Sequence, residues 1–257
     1  MYFKIGDYEV KMANTPEERQ QVRQLRYEVF CLEKGAVATE KQKKLREEYD
    51  AYDTYADYMI VLHKNKVVGT YRIITDESAK KGKGFFSETE FDISNIKTSG
   101  LKIAELSRAC IAPKYRQAVT PLKLLWMGLN KYIDDNKIDI LFGIVSFEGT
   151  NPMTSANAIS YLHRNHLSPT GLRATVHKNK LSKIQMSTLL LKNSLNSRTA
   201  REEMPTLVKG YLNLNATFGD GVYIDEQFNT HDLFVILQTH DIPPLLKRLF
   251  SFRNKTK

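Results

Sequence analysis

The feature that constrains this chain most is an alternation in its middle. Residues 101–112 (LKIAELSRACIA) form a β-rich run that Pro113 ends, and from about Pro121 to Asn136 the apolar residues Leu122, Leu125, Trp126, Leu129, Tyr132 and Ile133 recur at helical spacing. Residues 138–147 (IDILFGIVSF) are nearly all apolar, as a strand buried on both faces must be, and 153–166 returns to helix through Thr150-Asn151-Pro152. Strand, helix, strand, helix demands at least one crossover, which places the chain in the α/β class: a mixed sheet flanked by helices.

The flanks extend this pattern. Thr15 is a good N-cap, Pro16 suits the first helical position and Glu17 and Glu18 suit the positive end of the dipole, so a helix is predicted over 15–34 with Val22, Leu25, Arg26, Val29 and Phe30 on one side. Residues 36–57 are polar and charged, a loop or irregular helix. Residues 58–63 (YMIVLH) and 66–74 (KVVGTYRII) read as a hairpin turning at Lys64-Asn65. The run from Val208 to Leu237 is predicted strand-rich, with Gly219-Asp220-Gly221 as a turn between two alternating segments. With no repeat and no low-complexity linker, residues 1–257 are expected to form a single domain with a basic insert near 170–203 and a basic tail over 247–257.

Composition excludes more than it selects. At 257 residues and 42% hydrophobic the chain can bury a sizeable core, and no apolar run reaches the length of a membrane span. Cys31 and Cys110 are too few for a disulfide framework, and MYFKIGDYEV is no signal peptide, so the expected compartment is the cytoplasm, with peripheral attachment to the inner face of a membrane left open. Net charge is +9, and no acidic residue occurs between Glu148 and Glu202. That fits a polyanionic partner or a merely solvated surface. Without a recognition-helix motif or an aromatic stacking platform, nucleic acid is not the expected partner. In LSKIQMSTLLLKNSL, Leu181, Ile184, Leu191 and Leu195 follow helical spacing among Lys178, Lys180, Lys183 and Lys192, a pattern suited to an anionic membrane surface.

The order of elements resembles the GNAT superfamily of acyltransferases. That resemblance implies a splayed central sheet with the pantetheine of an acyl carrier in the splay and its phosphate on the N-terminus of the next helix, where free N–H groups and the dipole favour an anion. Here that place is ACIAPKYRQAVTPLKLLW, which makes Cys110, Ile111, Arg116, Gln117, Ala118, Val119 and Thr120 the acyl-pantetheine candidates. Acetyl-CoA users carry a glycine-rich loop there; this stretch has no glycine.

Seven blocks narrow the resemblance: RYEVFCLEKGA, DYMIVLHKNKVVGTYRII, GFFSETEFDI, ELSRACIAPKYR, LLWMGLNKYI, LFGIVSFEGTNP and LVKGYLNLNATFGDG with DEQFNTHDLFVIL. Together they closely resemble the ornithine N-acyltransferases of ornithine-lipid synthesis, a branch that includes N-acyl amino acid synthases and is similar to acyl-homoserine-lactone synthases. The charged cluster of the latter maps onto Arg26, Phe30, Asp50, Asp53, Arg72, Glu105 and Arg108, while the expected N-terminal tryptophan is missing. The resemblance implies a 3-hydroxyacyl group on acyl carrier protein as donor, the α-amino group of ornithine as acceptor, and no cofactor beyond the donor's phosphopantetheine. Another amine acceptor, or a non-catalytic basic membrane-binding protein, is the alternative.

Attack of an amine on a thioester needs a base for its proton and donors for the oxyanion, but no protein nucleophile. Glu105 is the base candidate, and Tyr161 the candidate for protonating the leaving thiolate. Arg72 and Arg108 suit a substrate carboxylate, or else fasten Asp50, Asp53 and Glu105 into a structural network. Asp225, with Asp232, suits a second ammonium of a diamino acid. Cys110 reads as packing, and the histidines and cysteines show no metal-ligand spacing.

Overall fold

The structure is a computed structural model that describes residues 2–177 and 196–250. In chain order the elements begin β1 (Tyr2–Ile5), β2 (Tyr8–Met12), α1 (Pro16–Arg26), a π-helical segment Tyr27–Glu33, α2 (Glu40–Leu45), β3 (Asp57–His63), β4 (Lys66–Thr75) and α3 (Asp76–Lys81). They continue with β5 (Phe91–Asp92), α4 (Ser94–Lys97), β6 (Ile103–Ile111), α5 (Val119–Asn136), β7 (Ile140–Glu148), α6 (Ala156–Asn165) and β8 (Thr175–Val176). After these come α7 (Ser197–Glu203), α8 (Thr206–Asn213), β9 (Thr217–Phe218), β10 (Tyr223–Asp225), β11 (Thr230–Gln238) and α9 (Pro244–Leu249). Packing divides the chain into a first unit, Met1–Gly84 with Ala104–Ile138 and Pro243–Lys257, and a second, Phe85–Ile103 with Asp139–Ile242.

In the first unit β1, β2, β3, β4 and β6 pair antiparallel in that order. The β3–β4 hairpin turns at Lys64 and Asn65, both at positive φ (50° and 65°), as a two-residue loop of matching twist requires. Helix α1 starts where the sequence predicts: the Thr15 hydroxyl accepts from the Glu18 N–H, and Pro16 opens the first turn. Its Val22 and Leu25, with Val29 beyond it, pack on Tyr58, Ile60, Leu62 and Cys110 in one buried cluster. On the opposite face Gly69 lies against Leu125 of α5.

In the second unit β7 and β11 pair antiparallel from Glu148↔Thr230 to Ile140↔Gln238. Phe85, Phe142, Phe234 and Phe91 form a chain of rings with centroids 5.0–5.6 Å apart. Glu203 of α7 accepts from the Ala158 N–H and from Asn157, both at 2.8 Å, and so supplies the anion that the first turn of α6 calls for.

Four expectations change. The segment after Pro205 is helix α8, not strand: Val208, Tyr211 and Leu214 are buried three residues apart, a period the apparent alternation of LVKGYLNLN concealed. Gly219-Asp220-Gly221 is no hairpin turn, because β9 and β10 both pair with β11 and the glycines only interrupt that edge. A Cβ on Gly219 would lie 2.8 Å from the Ala174 carbonyl oxygen, and Gly221 has φ +100°, so both let the Ala174–Val176 backbone approach. The helix predicted over 15–34 widens to π-helical pairing from Tyr27. The β1–β2 hairpin, turning at Gly6 with φ +59°, was not foreseen in the N-terminal residues. The predicted amphipathic stretch 181–195 and the tail after Phe250 lie outside the described residues. No described helix is long and apolar enough to cross a membrane.

Candidate active site

Six of the residues singled out in the sequence converge in the first unit, and local structure explains how. Arg26 ends α1 and is fully buried beneath the loop that follows α2. In that loop Asp50 caps a 3-10 turn, accepting from the Tyr52 N–H at 2.9 Å, and the Asp50 N–H donates to Asp53 Oδ2 at 3.2 Å. Both carboxylates are thereby fixed before they meet an arginine. Arg72 of β4 pairs in register with Tyr58 of β3 on one side and Ser107 of β6 on the other, and its Nε donates to Ser107 Oγ at 2.9 Å.

The charges close into a ring. Arg26 binds Asp53 at 2.9 Å, Asp53 binds Arg72 at 2.9 Å, and Arg72 binds Asp50 at 2.6 Å. Asp50 meets Arg108 at 3.1 Å and Arg108 meets Glu48 at 3.4 Å, while the other Glu48 oxygen returns to Arg26 Nε. Three guanidiniums and three carboxylates alternate and cancel, which is how so many charges tolerate burial. Burial by itself would raise the Asp53 carboxyl, but Arg26 and Arg72 outweigh it and hold that carboxyl well below the usual range. Arg26 is raised in turn, because Glu48 and Asp53 overcome its desolvation.

Glu105 lies beside this ring, fully buried on β6, opposite Ile74 and on the same face as Ser107 two residues along. Between Ser107 and Cys110 the ladder slips: Arg72 opposes Ser107 but Thr70 opposes Cys110, so β6 carries one extra residue. Arg108 sits at that bulge with φ +52°, a left-handed conformation unusual for any residue but glycine. Over the ring, the Arg72 guanidinium stacks 5.5 Å from the Tyr52 ring, and Tyr55 meets Tyr52 edge-on at 6.1 Å. Burial, then the charges of Tyr55 and Glu105, raise the Tyr52 phenol and keep it protonated at neutral pH.

The other candidates separate from this cluster. Phe30 lies in the π-helical segment, packed on the α1 core. Cys110 is in that core too, and burial pushes its thiol up to about 12, which leaves no thiolate for covalent catalysis. Arg116 forms a bidentate pair with Glu33 at 2.5 and 2.6 Å while its Nε donates to the Ile111 carbonyl at 3.0 Å, so its fork is held by a carboxylate. Ala118 begins α5 without a side-chain cap, and its own N–H donates to the Tyr115 carbonyl. Pro121 lacks an N–H, so the first turn offers the Val119 and Thr120 N–H groups; Gln117 precedes it.

In the second unit, Tyr161 is on α6 with its ring 5.6 Å from that of His166. Asp225 accepts from the Phe228 N–H at 2.9 Å. One oxygen of its carboxylate and one each from Asp232 and Glu90 also lie within 4.8 Å of one another. The sequence had paired Asp225 with Asp232, but Glu90 is far from both along the chain and no spacing signalled it. Glu48, Tyr52, Tyr58 and Ser107 were likewise missed. The available signal was the density of acids in EEYDAYD, set against the three arginines Arg26, Arg72 and Arg108 already singled out.

Residues 25–127 match the profile of the Acetyltransferase (GNAT) domain. The chain is 37% identical to the L-ornithine N(alpha)-acyltransferase of Brucella abortus, over 91% of this chain and 85% of that one. It is 32% identical to the enzyme of the same name from Rhodobacter capsulatus, over 96% and 95%. Among solved structures, an N-acyl amino acid synthase from uncultured soil microbes superposes with TM-score 0.54 over 94% of this chain and 97% of that one, at 12% identity. A CoA-dependent acyl-homoserine lactone synthase superposes with TM-score 0.52 over 94% and 86%, at 13% identity. At such identities the two superpositions establish a GNAT-like α/β fold and no more.

Proposed function

Because this chain is an acyltransferase that belongs to the L-ornithine N(alpha)-acyltransferase family, we propose that it transfers a long-chain acyl group from a carrier thioester to the α-amino group of L-ornithine. The observation that carries the mechanism is Glu105, buried on β6 beside a ring whose own charges cancel. Glu105 stands on the same face of β6 as Ser107, which holds Arg72, and a carboxylate in that position suits the role of general base for the attacking amine. The neutral amine attacks the thioester carbon, a C–N bond forms, and Glu105 removes the ammonium proton. The C–S bond then breaks, and the carrier leaves as its thiol once the sulfur is protonated. The bulge at Arg108, three residues along β6 from Glu105, lifts backbone off the ladder, a position suited to donating an N–H to the oxyanion.

The donor we propose is a 3-hydroxyacyl group on acyl carrier protein. The glycine-free loop before α5, its two remaining N–H groups and the basic surface support an acidic carrier over CoA. Incubation with 3-hydroxyacyl carrier protein and a panel of amino acids, read by mass spectrometry, should yield N-acyl ornithine as the dominant product. A different preferred acceptor, or equal efficiency with long-chain acyl-CoA, removes the acceptor or the donor respectively.

The product would be a single-chain lipid, which suits release at an anionic membrane. Two features support that surface: Leu245 and Leu249 of α9 are 68% and 55% exposed one turn apart beside Lys247 and Arg248, and no acid follows Asp241. Salt-sensitive co-sedimentation with anionic vesicles should fall severalfold in Leu245→Glu/Leu249→Glu. Equal binding by that variant would take α9 out of the reading.

A further inference from the structure

Glu48 belongs to none of the motifs in the sequence, yet it is the residue that closes the ring. Its side chain is 6% exposed, and each of its oxygens meets a different arginine: Oε2 meets Arg26, and Oε1 meets Arg108 at 3.4 Å. Its backbone is anchored as well, because the Glu48 N–H donates to the Arg23 carbonyl of α1 at 3.0 Å. The preceding Glu47 is clamped by Arg23 at 2.6 Å and Gln20 at 2.9 Å. This carboxylate is therefore set by α1, through main chain and side chain alike.

What it holds is the strained point of β6. A non-glycine residue at positive φ is strained and persists where its surroundings over-determine it. Both described ion pairs of the Arg108 side chain, to Glu48 and to Asp50, come from the same loop. Without Glu48 the link from Arg26 to Arg108 is cut, and α1 loses that tie to the bulge. Glu105 lies three residues away on the same strand.

We propose that Glu48 is a positioning residue for acyl transfer: by joining Arg26 to Arg108 it fixes the bulge in β6 beside which Glu105 works. The inference deepens the assignment of Glu105 as base and rests on it. Misplacement of reacting groups by up to about an ångström costs up to about a hundredfold in rate. Glu48→Gln, which keeps the volume and removes the charge, should lower kcat by about that factor per folded molecule, with KM for both substrates within about twofold. Arg108→Lys keeps a charge but cannot fork to two carboxylates, and should show the same loss confined to kcat. The double variant should be no worse than the poorer single one, since both break one link. Wild-type kcat in folded Glu48→Gln, with only melting temperature or yield lowered, overturns the proposal. So does a loss confined to KM, or additive losses in the double variant. If Glu48→Gln does not fold, Arg108→Lys decides: normal kcat there also overturns it. Glu105→Gln, measured alongside, separates the two ideas. Near-normal turnover there removes Glu105 as base and leaves the Glu48–Arg108 cycle to be judged by its own non-additivity. A dead Glu105→Gln with unaffected Glu48→Gln removes only the positioning role.

Discussion

At the scale of single residues, Glu105 and Arg72 share a face of the sheet but have different work. Arg72 meets Asp50, Asp53 and Ser107, the network role that the sequence offered for it beside that of clasping a substrate carboxylate. Arg108 likewise meets Glu48 and Asp50. Glu105→Gln should therefore retain the fold and lose about two to four orders of magnitude in turnover, the usual cost of removing a general base. Steady-state rates beside a circular dichroism spectrum check this, and unaltered rates in folded protein would clear Glu105 of any role. Asp53 serves the fold instead. Asp53→Ala leaves two buried guanidiniums, Arg26 and Arg72, each one carboxylate short and should cost about 3 kcal/mol in urea unfolding. Cys110 makes a contrasting prediction: with its thiol raised by burial, Cys110→Ala should keep most of its activity, and thiol alkylation under native conditions should leave Cys110 unlabelled.

Among the elements, the loop between α2 and β3 decides the site. It has little regular structure, yet it provides Glu48, Asp50, Tyr52 and Asp53, and its own Tyr55 ties it to the turn after α3. The Tyr55 hydroxyl donates to the Gly84 carbonyl at 2.9 Å and accepts from the Lys83 N–H at 3.1 Å, closing the turn after α3 over the loop. Gly82 makes that closure possible: a Cβ there would fall 2.1 Å from the Tyr55 ring. Gly82→Ala should push Tyr55 aside, loosen Tyr52 over Arg72, and lower the melting temperature by several degrees for a loss of about 1–3 kcal/mol. Tyr55→Ala in the same background should relieve the clash, so that the two losses are less than additive. Additive losses would mean the two residues act separately.

For the whole molecule, acid sensitivity follows from groups that folding holds away from their ordinary pKa. Burial lowers His231 below its usual 6.5, so the unfolded chain takes up that proton first and stability begins to fall as pH drops through about 6.5. Asp53 is held well below 3.8, so its contribution is intact above about 4 and is lost as pH falls towards its folded value. The urea midpoint should thus be level from about pH 8 to 7, decline gently below 6.5 and steeply below 4. A midpoint unchanged down to pH 4 would deny the His231 contribution. The sequence by itself determined the α/β class, the capped start of α1, the β3–β4 hairpin, α5 and β7. Each of these rests on periodicity, capping or turn chemistry, which act between residues a few positions apart. It also brought six of the ring and site charges into view through family resemblance. Only tertiary structure decided that LVKGYLNLN is helix, because burial of Val208, Tyr211 and Leu214 chose between two readings of one short pattern. Only tertiary structure placed Glu48 against Arg108 and Glu90 beside Asp225. Such pairs span 60 and 135 positions along the chain, and no local period connects charges that meet only when the sheet forms.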